Sequence, residues 1–265
     1  MNQRFAILLG FVLIAAAACF FYFGPTQHPT ENSNAASGEP ELPAGVKLKA
    51  WNTVDGFDKN LVQFETVFWD PRDSISLRKL IRESGLVRDK SVMEIGCGSG
   101  LIGLCCLKAG AQKVVVTDVN PAAISNAKFN ADWLGLQKPG EFKFETRLVS
   151  LDDSGAFSTL KPTEKFDLII SNPPWVNQKP KTIDEYALYD ENFALMRSLF
   201  DGMENRLNPG GRVWLAYGCV DAIKTMGKMA KERGFSFEVL DDRVLDDLPE
   251  EFLPGMLIEI KPDLW

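Results

Sequence analysis

Histidine is nearly absent from this 265-residue chain. Only His28 is present, so a Ser-His triad or an imidazole general base has no residue to use. Cysteine is scarce and unpaired: Cys19, Cys97, Cys105, Cys106 and Cys219 make an odd count with no C-x-x-C spacing. That excludes a disulfide framework and, with one histidine, argues against a zinc site. The cysteines read as free thiols of a reducing compartment, and no metal is expected. An excess of positive charge is also lacking. Lys and Arg number 29 against 36 Asp and Glu, for a net charge of -7. A protein that holds nucleic acid by a basic face usually shows the opposite balance, although a local patch can serve. No internal repeat is found.

What is present begins with an uncharged apolar run, Phe5 to Phe23. About 19 residues at 1.5 Å each span roughly 28 Å, close to the hydrocarbon core of a bilayer. Residues 1–24 are therefore expected to form a transmembrane anchor, with a cleaved signal peptide as the rival reading. Arg4 before the run, and Glu31, Glu39 and Glu41 after it, favour a cytoplasmic amino terminus. The free thiols point the other way, and the side of the membrane is left open. Residues 25–45 are rich in Pro, Ser, Asn, Ala, Gly and Glu and read as a flexible linker. The folded domain is expected over 46–265.

Within the domain, short apolar runs alternate with helical patterns. SVMEI (91–95), KVVVT (113–117), 142–149, 166–171 and 212–216 read as strands, and 235–240 and 256–260 as two more. Helical spacing recurs over 75–81, 101–108, 121–134, 192–207 and 220–233. This order predicts an α/β fold: a mostly parallel seven-stranded sheet with helices on both faces.

Chemistry-bearing residues fall where these strands end. SVMEI runs straight into Gly96-Cys97-Gly98-Ser99-Gly100 and a helix. A glycine turn in that context lets backbone pass close to a ligand, and the helix start offers N–H groups to it. Asp118 ends the second strand, 18 residues after Gly100, near the spacing of an acid that takes ribose hydroxyls. Asp152, after the third strand, stands evenly between meeting an adenine amino group and lying in a solvated turn. The fourth strand stops at Asn172-Pro173-Pro174-Trp175, because two prolines cannot continue a ladder. Asn172 is thereby held on stiff backbone at the sheet's carboxyl edge, where ligands of open α/β sheets bind. The arrangement suits a planar amino group. The long segment 176–189 that follows reads as a substrate lid.

Together these residues resemble the S-adenosyl-L-methionine (SAM)-dependent methyltransferases with a Rossmann-like seven-stranded sheet. GCGSG after VMEI resembles their methionine-binding turn, Glu94 the acid two residues before the first glycine, and Asp118 the ribose acid. NPPW resembles the motif of enzymes that methylate amino groups of planar systems, including the HemK-type protein-glutamine methyltransferases and the adenine N6 and guanine N2 methyltransferases of nucleic acids. Phe68 to Ser74 resembles the loop before the fold in the HemK-like branch, where a proline and an acid precede Ser or Thr near the cofactor.

The resemblance implies SAM as cofactor, held by Ser74, Glu94, Gly96, Gly98, Gly100, Asp118 and Asp152. It implies catalysis by Asn172, Pro173 and Trp175. Asn172 and the Pro173 carbonyl would accept the two N–H groups of the acceptor, and Trp175 would stack on it. The expected activity is methyl transfer to a protein glutamine by a membrane-tethered enzyme. The alternatives are a nucleic-acid methyltransferase acting on adenine N6 or guanine N2, and a catalytically silent membrane scaffold.

Overall fold

In the computed structural model, residues 42–137, 140 and 143–262 are described. Residues 1–24, expected to anchor the chain, lie outside them. The membrane localisation is corrected: among the described residues no helix is long and apolar enough to cross a bilayer. The longest described helix has 14 residues, about 21 Å against a hydrocarbon core of about 30 Å. The compact unit runs over Leu42–Trp265. It begins slightly ahead of the expected Val46, because Leu42 and Val46 both pack against the cluster of Val62, Phe64, Val67 and Ala123.

A two-stranded antiparallel hairpin comes first, β1 (Leu48–Asn52) and β2 (Leu61–Phe64). Helix α1 (Ile75–Glu83) follows. The sheet then opens with β3 (Ser91–Ile95), α2 (Leu101–Lys108), β4 (Lys113–Asp118), α3 (Pro121–Trp133) and β5 (Phe144–Leu148). It continues through β6 (Phe166–Ser171), α4 (Ala194–Arg206), β7 (Leu207–Cys219), α5 (Val220–Arg233), β8 (Phe235–Val239) and β9 (Glu251–Pro262). The seven strands lie in the order β5-β4-β3-β6-β7-β9-β8. Pairing is parallel from β5 to β7, and antiparallel where β9 inserts between β7 and β8. The expected mostly parallel seven-stranded sheet is what forms.

Strand periodicity divides the core. Met93, Val115, Ile169, Val213 and Leu215 bury one face under α4 and α5. Their neighbours Val92, Val114, Val116, Leu168, Ile170 and Trp214 bury the other under α1, α2 and α3. Successive side chains point to opposite faces, so strands covered on both sides read as unbroken apolar runs rather than alternating ones. The order reverses between β3 and β6: the chain winds outward through β4 and β5, then returns to pair β6 on the other side of β3. That switch point leaves a crevice at the carboxyl ends of β3, β4 and β6. Ser171 Oγ donates to the Ile95 carbonyl and ties the ends of β3 and β6 together.

Candidate active site

A cavity of about 400 Å³ opens at this crevice, within the range of small-molecule sites. Its floor is the turn between β3 and α2. Gly96, Gly98 and Gly100 have φ of 72°, 51° and 84°, a region that costs L side chains energy. A Cβ at Gly96 would meet nothing within 4 Å, and one at Gly98 only the Phe68 carbonyl at 3.8 Å. The turn therefore leaves space above itself, as the cradle of an elongated ligand must. Gly100 does something else. It is the N-cap of α2, and a Cβ there would stand 2.9 Å from Ala127 Cβ, so its smallness lets α2 and α3 approach.

Asp118, half-buried at the end of β4, braces this turn. Its carboxylate accepts from Gly98 N at 2.9 Å and from Asn120 N at 2.8 Å. Burial raises its pKa, and these backbone N–H groups oppose the rise. A carboxylate has about four lone-pair sites, so capacity remains on both oxygens for hydroxyls of a ligand. Glu94 is 1% exposed on β3 and accepts from Gly103 N at 2.9 Å. Burial holds its carboxyl well above the usual range.

Of the expected site residues, Ser74, Glu94, Gly96, Gly98, Asp118 and Asn172 line the cavity. Gly100, Asp152, Pro173 and Trp175 are not among its lining residues. Asp152 is exposed in a 3-10 turn whose backbone N–H meets Ser150 Oγ, the solvated-turn alternative. The wall there is Ser154, Gly155 and Ala156 instead. Trp175 packs toward the core. Its ring lies 6.4 Å from that of Tyr217, tilted by 46°, and a Cβ at Gly218 would stand 3.2 Å from it. The tryptophan thus wedges the β6 exit against β7, which places the segment carrying Asn172.

Asn172 itself carries the site's most telling atom. Its Oδ1 is buried and has no hydrogen-bond partner. A buried acceptor left unpaired costs about 1–3 kcal/mol, and in a cavity wall it marks a place for a donor that arrives with a ligand. The 176–189 segment closes over this side. Val176 and Tyr189 pair at its two ends, and Lys179, Ile183, Tyr186 and Tyr189 line the cavity.

Sequence reasoning missed the device that fastens the amino-terminal hairpin. Asn126 and Asn130, both 0% exposed, lie on the inner face of α3. Asn126 Oδ1 accepts from Phe64 N, and its Nδ2 donates to the Val62 carbonyl. Asn130 Oδ1 accepts from Val62 N, and its Nδ2 donates to the carbonyls of Val62 and Ser99. One side chain thus joins the amino-terminal hairpin, α3 and the glycine turn. The available signal was two asparagines four apart in a helix interior, where Asn is a poor helix former. Asn130→Ala is expected to destabilise the fold by about 1–3 kcal/mol, since it strands buried backbone groups. Denaturant unfolding measures this, and an unchanged midpoint would show that the network contributes nothing.

The sequence profile of the methyltransferase small domain matches residues 75–231, spanning α1, the glycine turn, Asp118, NPPW and most of α5. The chain belongs to the methyltransferase small domain family. It is 32% identical over 180 residues to a protein of Methanocaldococcus jannaschii named for protein N5-glutamine methylation, covering 65% of this chain and 83% of that one. It is 30% identical over 138 residues to the release factor glutamine methyltransferase of Bordetella pertussis, covering 48% of this chain and 47% of that one. The chain thus spans about half the length of the Bordetella enzyme. In fold it is similar to the Thermus thermophilus 16S rRNA N2 G1207 methyltransferase, solved with AdoMet and guanosine. There the TM-score is 0.56 at 17% identity, covering 84% of this chain and 52% of that one. The small-domain methyltransferase described here is a SAM-dependent enzyme, and the open space above Gly96 and Gly98 with Asp118 alongside fits that cofactor.

Proposed function

We propose that the methyl acceptor is the side-chain amide of a glutamine in a protein. The observation that carries this reading is the buried, unpartnered Oδ1 of Asn172 in the cavity wall. Two relatives named for glutamine methylation, at 32% and 30% identity, support it. The amide nitrogen of glutamine is a poor nucleophile because its lone pair is delocalised into the carbonyl. SAM supplies a methyl group on a positively charged sulfur, so the leaving group needs no protonation. The protein's task is to localise the lone pair and aim it. Asn172 Oδ1 accepts one N–H of the acceptor, and Pro173, outside the cavity lining, stiffens the backbone that carries Asn172. Drawing on that N–H turns the nitrogen lone pair toward the methyl carbon, through orientation and a fixed dipole. Asp118 holds the ribose hydroxyls, and Glu94 supports the turn through Gly103 N. Trp175 acts by packing, keeping Asn172 and Pro173 in register.

The balance of 29 basic against 36 acidic residues favours a protein acceptor over RNA or DNA. The full chain, incubated with tritiated-methyl SAM and a recombinant bacterial release factor, is expected to label the protein on a glutamine. Peptide mass spectrometry should place the added methyl on the side-chain nitrogen. Label appearing in nucleic acid from a lysate, with none in protein, would overturn the reading.

A further inference from the structure

We propose that Thr66 is a further cofactor-binding residue, its hydroxyl donating to SAM on the Asp118 side of the cavity, and that Asn120 is the positioning residue that holds it there. This rests on SAM as cofactor and not on the identity of the acceptor.

The chain leaves β2 through a tight turn. Val67 N donates to the Phe64 carbonyl at 3.3 Å, so Thr66 holds the third of the turn's four positions. Its φ is 64°. A turn with positive φ at that position takes glycine or asparagine, and a β-branched residue in that region is an outlier. Glycine would make the same turn without strain. Strain of this kind persists where the surroundings over-determine it, and ligand clamps are such places. Thr66 lies outside residues 75–231, the span that matches the family profile.

Asn120 is what fixes the strained residue. Its Nδ2 donates to the Thr66 carbonyl at 2.9 Å and, at a longer 3.4 Å, to Thr66 Oγ1. Its Oδ1 accepts from Ala122 N and caps α3, which settles the end of the amide that faces Thr66. Its backbone N–H donates to Asp118, whose other oxygen accepts from Gly98 N. One chain of hydrogen bonds thus runs from Thr66 through Asn120 and Asp118 to the glycine turn, and all four residues line the cavity. The next residue is pinned as well. The Val67 carbonyl accepts from Gln63 Nε2 at 2.8 Å, and the Val67 side chain is buried with Phe64 and Ala123. Thr66 itself is exposed, so packing gives no reason for a threonine here. A hydroxyl has one proton and two lone pairs. Accepting from Asn120 leaves the proton free, and among the described residues it is donated to no printed partner. That donor, held beside the carboxylate that takes the ribose hydroxyls, is what threonine adds to a turn that favours glycine.

Calorimetry with SAM and denaturant unfolding without it, both on the full chain, test this. Thr66→Gly is expected to raise the unfolding midpoint of the cofactor-free protein, because the turn relaxes, and yet to weaken SAM binding roughly 3- to 10-fold, the scale of one neutral hydrogen bond. Thr66→Ala is expected to weaken binding by the same factor with no gain in midpoint. Thr66→Ser, which restores the hydroxyl, is expected to recover the affinity. A residue that served the fold alone would move affinity and midpoint together. Asn120→Ser keeps a cap for α3 and the backbone bond to Asp118 but removes the donors to Thr66. It is expected to weaken binding by a similar factor, and Thr66→Ala added to it should cost little more, since both act through one contact. Wild-type affinity in Thr66→Ala, a loss in Thr66→Ser equal to that in Thr66→Ala, or losses that multiply in the double variant would each overturn the proposal. If Asn120→Ser does not fold, the three variants at position 66 decide.

Discussion

Asn172→Ala is expected to lower methyl transfer by about 10²- to 10³-fold, the usual cost of removing one preorganised polar group from a reacting centre, while SAM affinity stays close to wild type. The prediction follows from what the side chain does and does not touch. Its Oδ1 has no partner in the protein, so truncation leaves nothing unpaired on that side. Asp73, which shares the cavity wall with it, lies on the turn before α1. Asn172 sits beyond the end of β6, and Ser171 Oγ, bound to the Ile95 carbonyl, still ties β6 to β3. The floor and Asp118 are thus left in place. The loss should appear in kcat, because the oxygen acts on an acceptor whose nitrogen is only then becoming a nucleophile. Single-turnover transfer and calorimetry together make the test. If SAM binding is lost as well, Asn172 belongs to the cofactor's site instead.

That separation of floor and rim was legible in the sequence, and particular residues show why. Periodicity places β3, β4 and β6 because strands buried on both faces must be continuously apolar. VMEI, VVV and LII leave no other reading once a glycine turn, an acid and a double proline end them. Ligand-bearing residues at strand ends are then fixed by topology alone, which is why Gly96, Gly98, Asp118 and Asn172 come together from positions far apart in the chain. Side-chain direction is another matter. Asp152 and Trp175 stand at the right edge, but a residue just past a strand can turn inward or outward. The choice depends on the neighbouring element: Tyr217 and Gly218 receive Trp175, and the 3-10 turn of Leu151–Asp153 carries Asp152 into solvent. The hold on the amino-terminal hairpin was the least legible part. Its order comes from Asn126 and Asn130 gripping β2 backbone, a tertiary pairing that leaves no periodic trace in β2. Gly103 was missed for the same reason. A Cβ there would stand 2.6 Å from Glu94 Oε2, a contact across two elements that no local pattern encodes. The apolar run at 5–23 met the length criterion for a span, yet length describes a segment and not the domain behind it.

Asp118→Ala is expected to weaken SAM binding by about 2–3 kcal/mol, roughly 30- to 150-fold in Kd, the range for hydrogen bonds to a charged group. The geometry lets the loss be divided. The bonds from Gly98 N and Asn120 N exist without cofactor, so their removal shows as lowered stability of the cofactor-free protein. The hydroxyl contacts exist only with cofactor present, and their removal shows as lowered affinity at equal stability. Asp118→Asn separates the two. The amide keeps one acceptor oxygen, which can hold either Gly98 N or Asn120 N, and replaces the other with a donor that faces an N–H. If bracing the turn were the whole of the role, affinity across wild type, Asn and Ala would follow cofactor-free stability in proportion. If the carboxylate binds hydroxyls directly, both variants lose affinity beyond what their stability explains, because a neutral side chain gives up the charge as well as an acceptor. Denaturant unfolding without SAM, set beside calorimetric Kd for the three proteins, distinguishes these outcomes. An unchanged affinity in Asp118→Ala would remove the hydroxyl role and leave the residue as a brace for the glycine turn.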